Sequence, residues 1–205
     1  MLNKAGMVCA ALVLLASAGW AQDDSRLNLA VNLGEAFSKQ SSGDGVVLSP
    51  TNNVAVFGTA RLRVGKKSSI ELTIGKLSNS QKYDSPPFTY SIPTSITEVT
   101  GAYVFSPFAI KKFEPFLLAG AGELRFYPSY YAYVSNVLVP LNSQNQTRPT
   151  FLYGVGVDYR AYWKFAVRLQ YRGLFYQAPD FRVSGLTTSA KGHLAEPSVG
   201  LVFKF

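Results

Sequence analysis

Read for alternation, the chain falls into runs in which bulky apolar residues take every second position, and no long stretch keeps a helical period. The clearest run is Trp163 to Phe175. Trp163, Phe165, Val167, Leu169, Tyr171 and Phe175 share one face, and Lys164, Ala166, Arg168, Gln170 and Arg172 share the other. In the last run Val199, Leu201, Phe203 and Phe205 oppose Ser198, Gly200, Val202 and Lys204. Phe151, Tyr153, Val155, Val157 and Tyr159 oppose Gly154, Gly156 and Asp158; Phe116, Leu118, Leu124 and Phe126 oppose Ala119, Ala121, Glu123 and Arg125. Val99, Tyr103 and Phe105 oppose Glu98, Thr100 and Ala102, while Ile70, Leu72 and Ile74 oppose Glu71 and Thr73. Val54, Val56, Leu62 and Val64 oppose Thr59, Arg61 and Arg63; Leu27, Leu29, Val31 and Leu33 oppose Asn28, Ala30 and Asn32. The pattern predicts eight strands, near 27–37, 52–64, 68–78, 94–105, 112–126, 150–160, 163–176 and 196–205.

The connections alternate in length. Gly65-Lys66-Lys67, Ser106 to Lys111 and Arg160 to Tyr162 are short, whereas 38–51, 79–93, 127–149 and 177–195 are long and polar. Short turns at one end and long loops at the other fit an antiparallel up-and-down barrel crossing a membrane, with the short turns periplasmic. Volume orients the two faces. An eight-stranded barrel has an interior just wide enough for its own side chains, so the small and ionic row is expected inside and the bulky row outside, in lipid. Closure also leaves no unpaired strand edge in the bilayer. Aromatic girdles are expected from Phe105, Phe113, Tyr159, Trp163 and Phe205 at one interface, and from Phe126, Tyr127, Phe151, Phe175 and Tyr176 at the other.

Composition agrees. Charged residues are 16% of the chain and aromatics 14%, where a soluble domain would carry about a quarter charged. The leading segment, with Lys4 before an apolar run from Met7 to Ala16 and Gly19 and Ala21 before a cleavage point, has the pattern of a secretory signal over 1–21. The barrel domain is then expected over 22–205. Cys9, the one cysteine, would leave with the leader, so no disulfide is expected. The net charge of +8 suggests anionic lipid headgroups rather than nucleic acid for a secreted chain.

The whole pattern resembles the small outer-membrane β-barrel superfamily, with its OmpA-type, OmpX-type and OmpW-type eight-stranded domains. The most specific element is Ser198 to Phe205. Apolar Val199, Leu201 and Phe203 alternate before the final Phe205, an ending that resembles the signal read by the barrel-assembly machinery. The resemblance implies outer-membrane lipids, lipopolysaccharide included, as surroundings, and a monomer. Nothing in the sequence matches the peptidoglycan-binding domain that follows the barrel in full-length OmpA-type proteins.

Three candidate sites emerge. Glu71, Glu98, Glu123 and Asp158 are expected to meet Arg61, Arg63, Arg125, Arg168 and Arg172 inside the barrel, because unpaired burial of charge is costly. Such a set could form a structural plug or a polar path for water or small solutes. Tyr130, Tyr131 and Tyr133 lie in the third long loop, as a surface-binding site or as packing across a strand hairpin that continues above the membrane. The sole histidine, His193, has Ser189 and Glu196 near in sequence, the residue types with which a small outer-membrane barrel could modify lipid, but no motif joins them and no enzyme is expected. Lys66, Lys67, Lys111, Lys112 and Lys164 suit phosphates of the inner leaflet or plain solvation. Gly154 and Gly156 form no dinucleotide loop, since no helix follows. No cofactor or metal motif is present.

Overall fold

The computed structural model describes residues 26–183 and 185–205. The leader expected at 1–21, with its cleavage point, lies outside the described residues. The strands are β1 (Leu27–Lys39), β2 (Ser41–Gly43), β3 (Val46–Leu48), β4 (Asn53–Arg63), β5 (Ser68–Ser85), β6 (Phe88–Phe105), β7 (Phe113–Pro128), β8 (Tyr131–Val134), β9 (Val137–Pro140), β10 (Gln146–Tyr162), β11 (Phe165–Gln177) and β12 (Lys191–Lys204). Eight of them, β1, β4, β5, β6, β7, β10, β11 and β12, pair antiparallel in chain order, and β1 closes on β12.

The register fixes the barrel's geometry. A row of paired residues starting at Lys39 runs through His193, Phe175, Phe151, Ala121, Gly101, Leu72 and Ala60. It returns to β1 at Leu29, ten residues below its start. Eight strands with that stagger tilt by about 40° to the axis.

Strands run further than the alternation predicted. The segment 79–93, expected as a loop, is the upper part of the β5–β6 hairpin, which pairs without a break from Ser68↔Phe105 to Ser85↔Phe88. Above the barrel mouth β3 adds to β5 and the β8–β9 hairpin adds to β6, giving an open sheet in the order β2-β3-β5-β6-β8-β9. The turn expected at Arg160–Tyr162 sits at Trp163 and Lys164, with Trp163 in the left-handed region (φ 33°).

One strand faces the opposite way from its prediction. Phe116, Leu118, Leu124 and Phe126 of β7 are buried in the bore, while Leu117, Ala119, Ala121, Arg125 and Tyr127 face outward. The volume argument fails here for a local reason: the neighbouring strands supply glycines. A Cβ on Gly156 would lie 2.4 Å from Phe116 Cζ, and one on Gly75 would lie 2.5 Å from Phe57 Cδ1. Each ring fills the space over a glycine across the strand pair, room that no side chain could share. On the outer surface Tyr103 and Tyr153 flank Ala119 from both sides, so the small residues of β7 still sit beneath aromatic cover. Phe126 and Tyr176, expected in the outer girdle, are likewise buried inside.

Candidate functional site

The bore is filled in layers. At the turn end Glu114 accepts from Arg63 Nη2 at 3.0 Å and from Lys204 Nζ at 3.1 Å. Above it Arg168 grips Asp158 with two parallel bonds, Nε to Oδ1 at 2.7 Å and Nη2 to Oδ2 at 2.9 Å, and donates to Glu71 through Nη1 at 3.0 Å. Arg61 donates to the same Glu71 at 2.8 Å and approaches Asp158 at 3.5 Å. This four-membered cluster is neutral and almost fully buried. Both guanidiniums also lie over the Phe116 ring, with Arg61 4.1 Å and Arg168 5.1 Å from its centroid, where the ring's negative face adds attraction.

A third layer joins Arg172 Nη2 to Glu98 at 2.7 Å and to Glu196. Thr100 donates to the second oxygen of Glu98 at 2.8 Å, and Arg172 stands 4.5 Å over the Phe57 ring. The design therefore repeats: glycine, ring, arginine, carboxylates. Networks of this kind hold one arrangement because each member satisfies several others.

The upper bore holds an apolar cluster beside the buried polar side chains of Asn79, Gln81, Thr94 and Thr150. Leu124, Phe126, Leu152, Leu174, Ile92 and Ile96 form a buried cluster, and Phe126 meets the rings of Tyr176 and Phe181 at 5.7 Å and 6.5 Å. The fourth long loop closes over it. Ala178, Phe181, Leu186 and Ala190 are buried, Pro179 O accepts from Tyr83 at 2.6 Å, and Asp44 holds the Ser189 N–H at 2.7 Å. Burial alone would raise the Asp180 carboxyl, but the Gln146 amide, the Arg182 N–H and the Arg148 charge outweigh it and hold it below the usual range.

The structure thus brings Arg61, Arg63, Glu71, Glu98, Asp158, Arg168 and Arg172 into the bore. Glu123 and Arg125 are a correction. They pair with each other on the outer wall, with 35% and 48% of their side chains accessible, because β7 is inverted relative to its prediction. Three interior members went unassigned in the sequence. Glu114 shares the parity of Phe116, so reading that face as outward hid it. Glu196 was weighed beside His193, and Lys204 was placed on the small face but not in a pair.

The histidine set does not assemble. His193 lies in β12, two residues past its start, and faces outward. Its Nε2 is 3.2 Å from Tyr153 Oη, and its ring lies 4.6 Å from that of Phe175. Glu196 points into the bore, and Ser189 is tied through its backbone to Asp44. Among the described residues no group of His, Cys, Asp and Glu side chains could hold a metal ion.

Tyr131 and Tyr133 alternate on one face of the β8–β9 hairpin opposite Pro140 and Leu138. Tyr130 meets Tyr131 edge to face at 5.1 Å. All three tyrosines are exposed, as are Val137 and Leu138. The hairpin is a separate flap docked on β6 rather than a straight continuation of the barrel strands. Beside it the sheet carries a groove of about 440 Å³ lined by Lys82, Asp84, Thr89, Ser91, Tyr133 and Asn136, among others.

A family profile for the outer membrane protein β-barrel domain matches residues 7–203. The chain belongs to that family. In barrels of this kind the short-turn end is the periplasmic end and the looped end the outer one. Neisserial surface protein A is similar in structure at 12% identity and TM-score 0.58, over 87% of this chain and 97% of that one. The outer membrane protein OprG from Pseudomonas aeruginosa is similar at 12% identity and TM-score 0.60, over 89% and 97%. The outer membrane protease OmpT from Escherichia coli is similar at 10% identity and TM-score 0.51, over 89% and 98%. At such identities the likeness is one of fold alone. No curated protein sequence matches the chain.

Proposed function

We propose that this outer-membrane barrel serves as a structural and surface-interaction protein, with an ion-paired bore that stiffens the wall and an outer sheet that meets a partner. What supports this reading is the packing of the bore, where three charged layers, an apolar cluster and a buried loop lie one above another beneath the outer sheet. The competing reading is a narrow pore for water or small solutes, which would need an open path past the charged layers and the buried cluster around Phe126. A lipid-modifying enzyme is disfavoured because the lone histidine is engaged by Tyr153 and Phe175, away from Ser189 and Glu196.

In this reading the chain works as a monomer amid outer-membrane lipids, lipopolysaccharide included, and needs no cofactor. The alternating Val199, Leu201, Phe203 and Phe205 of the last strand present its lipid-facing edge to the assembly machinery. Partner contact falls on Tyr130, Tyr131 and Tyr133 with Leu138, since tyrosine gives broad contact area at low entropy cost.

The hairpin can be removed cleanly, because Leu141 N–H donates to Tyr130 O at 2.9 Å and so closes its base. Deleting 131–140 should leave barrel insertion intact and abolish cell-surface or host-matrix adhesion conferred by the full chain. Adhesion unchanged by the deletion would remove the hairpin as the contact surface.

A further inference from the structure

We propose that the outer-leaflet wall between β10, β11, β12 and β1 is a binding site for a phosphorylated, acylated lipid. The site rests on the outer-membrane reading and adds to it a place and a headgroup chemistry.

Height comes first. His193 lies ten residues up β12 from Phe203, roughly 26 Å along the membrane normal at ~3.4 Å per residue and ~40° of tilt. A barrel's apolar band is about 25 Å tall. With Phe203 and Phe205 edge to face at the periplasmic rim, His193 stands at the outer headgroup boundary. A position among outer-leaflet headgroups follows from the strand alone.

Charge and shape then agree. Lys39 is the direct cross-strand partner of His193, and Lys191 lies two residues from His193 on the same outward face. Diagonal neighbours of this kind sit roughly 7–8 Å apart, so two lysines and one histidine share a single patch of the wall within reach of one anion. On this wall Glu35 is four residues below Lys39, and Asp44 is engaged by the Ser189 N–H. Directly beside the basic pair, an apolar groove of about 510 Å³ opens on the lipid side, lined by Pro149, Thr150, Phe151, Phe175, Gln177 and Lys191, among others. Phe151 and Phe175 form its floor as cross-strand partners. An acyl chain in the groove would bring its own headgroup phosphate up to Lys191, and Lys39 and His193 complete the anion's surroundings. Cation and groove meet at one residue, Lys191, which is why a single amphiphile satisfies both.

The test is calorimetric titration of the purified barrel in detergent micelles with lipopolysaccharide that keeps its lipid phosphates, with the dephosphorylated form, and with inorganic phosphate. Lys39→Gln combined with Lys191→Gln should weaken the phosphorylated lipid about thirtyfold, at about fivefold per surface lysine, and leave the dephosphorylated lipid unchanged. Lys66→Gln with Lys67→Gln, the same charge change at the periplasmic turn, should do nothing. Equal weakening by both pairs, or none by the first, overturns the site. Inorganic phosphate binding as tightly as the lipid would overturn the lipid assignment. Fractionation of the unaltered chain reports on membrane placement, so the two readings can fail separately.

Discussion

Replacing Arg168 with Met is expected to destabilise the barrel by about 3–5 kcal/mol, the cost of breaking a buried ion pair from one side. Asp158 would lose both parallel bonds and keep only Arg61 at 3.5 Å, while Glu71 would lose one of its two guanidiniums. The four-membered cluster would change from neutral to singly negative in a place water does not reach. Urea unfolding in lipid vesicles measures the loss. Adding Asp158→Asn restores neutrality, so the double variant should regain more than half of it. A single-variant loss under about 1 kcal/mol, or no recovery in the double, would mean that the layer is not the closed circuit described.

Phe126→Ala should cost about 3–5 kcal/mol as a large-to-small change in a close-packed interior. Its ring is fully buried against Tyr176 and Phe181 beneath the fourth loop, and the void left there has no lipid to fill it. Leu117→Ala, on the outward row of the same strand, opens onto hydrocarbon that can close the gap, so its cost should be markedly smaller. The pair of variants reads the orientation of β7 directly. Equal costs, or a loss at Phe126 below about 1 kcal/mol, would restore the orientation that alternation alone suggests.

That orientation marks where the sequence stops being legible. Period-two alternation placed all eight barrel strands and, for seven of them, the correct outward face, because one row was bulky and the other small or ionic. In β7 both rows are mixed: Phe116, Leu118, Leu124 and Phe126 compete with Phe113, Leu117 and Tyr127. What decides between them is non-local. Gly156, forty residues on, makes room for Phe116, and the arginines that cover the ring come from β4 and β11. The error carried further, turning Glu123 and Arg125 into interior residues and hiding Glu114. The outer sheet was missed for another reason. Polar, Pro-containing segments such as Ser80 to Pro93 read as loops, yet backbone pairing continues through them because each side of the hairpin supplies the other's hydrogen bonds. The interior charges of β4, β5, β6, β10 and β11 were legible because few residues besides ion pairs can occupy a narrow bore with both signs present.

The central claim is that the bore is closed along its length, so that this barrel acts through its surfaces. Planar-bilayer recording of the purified, folded protein tests it most directly. A filled bore predicts a quiet membrane with no reproducible conductance steps across a range of voltages and salt. Discrete steps that recur from one preparation to the next, and that shift in Arg168 or Arg172 variants, would show that ions pass through the charged layers and would contradict the account.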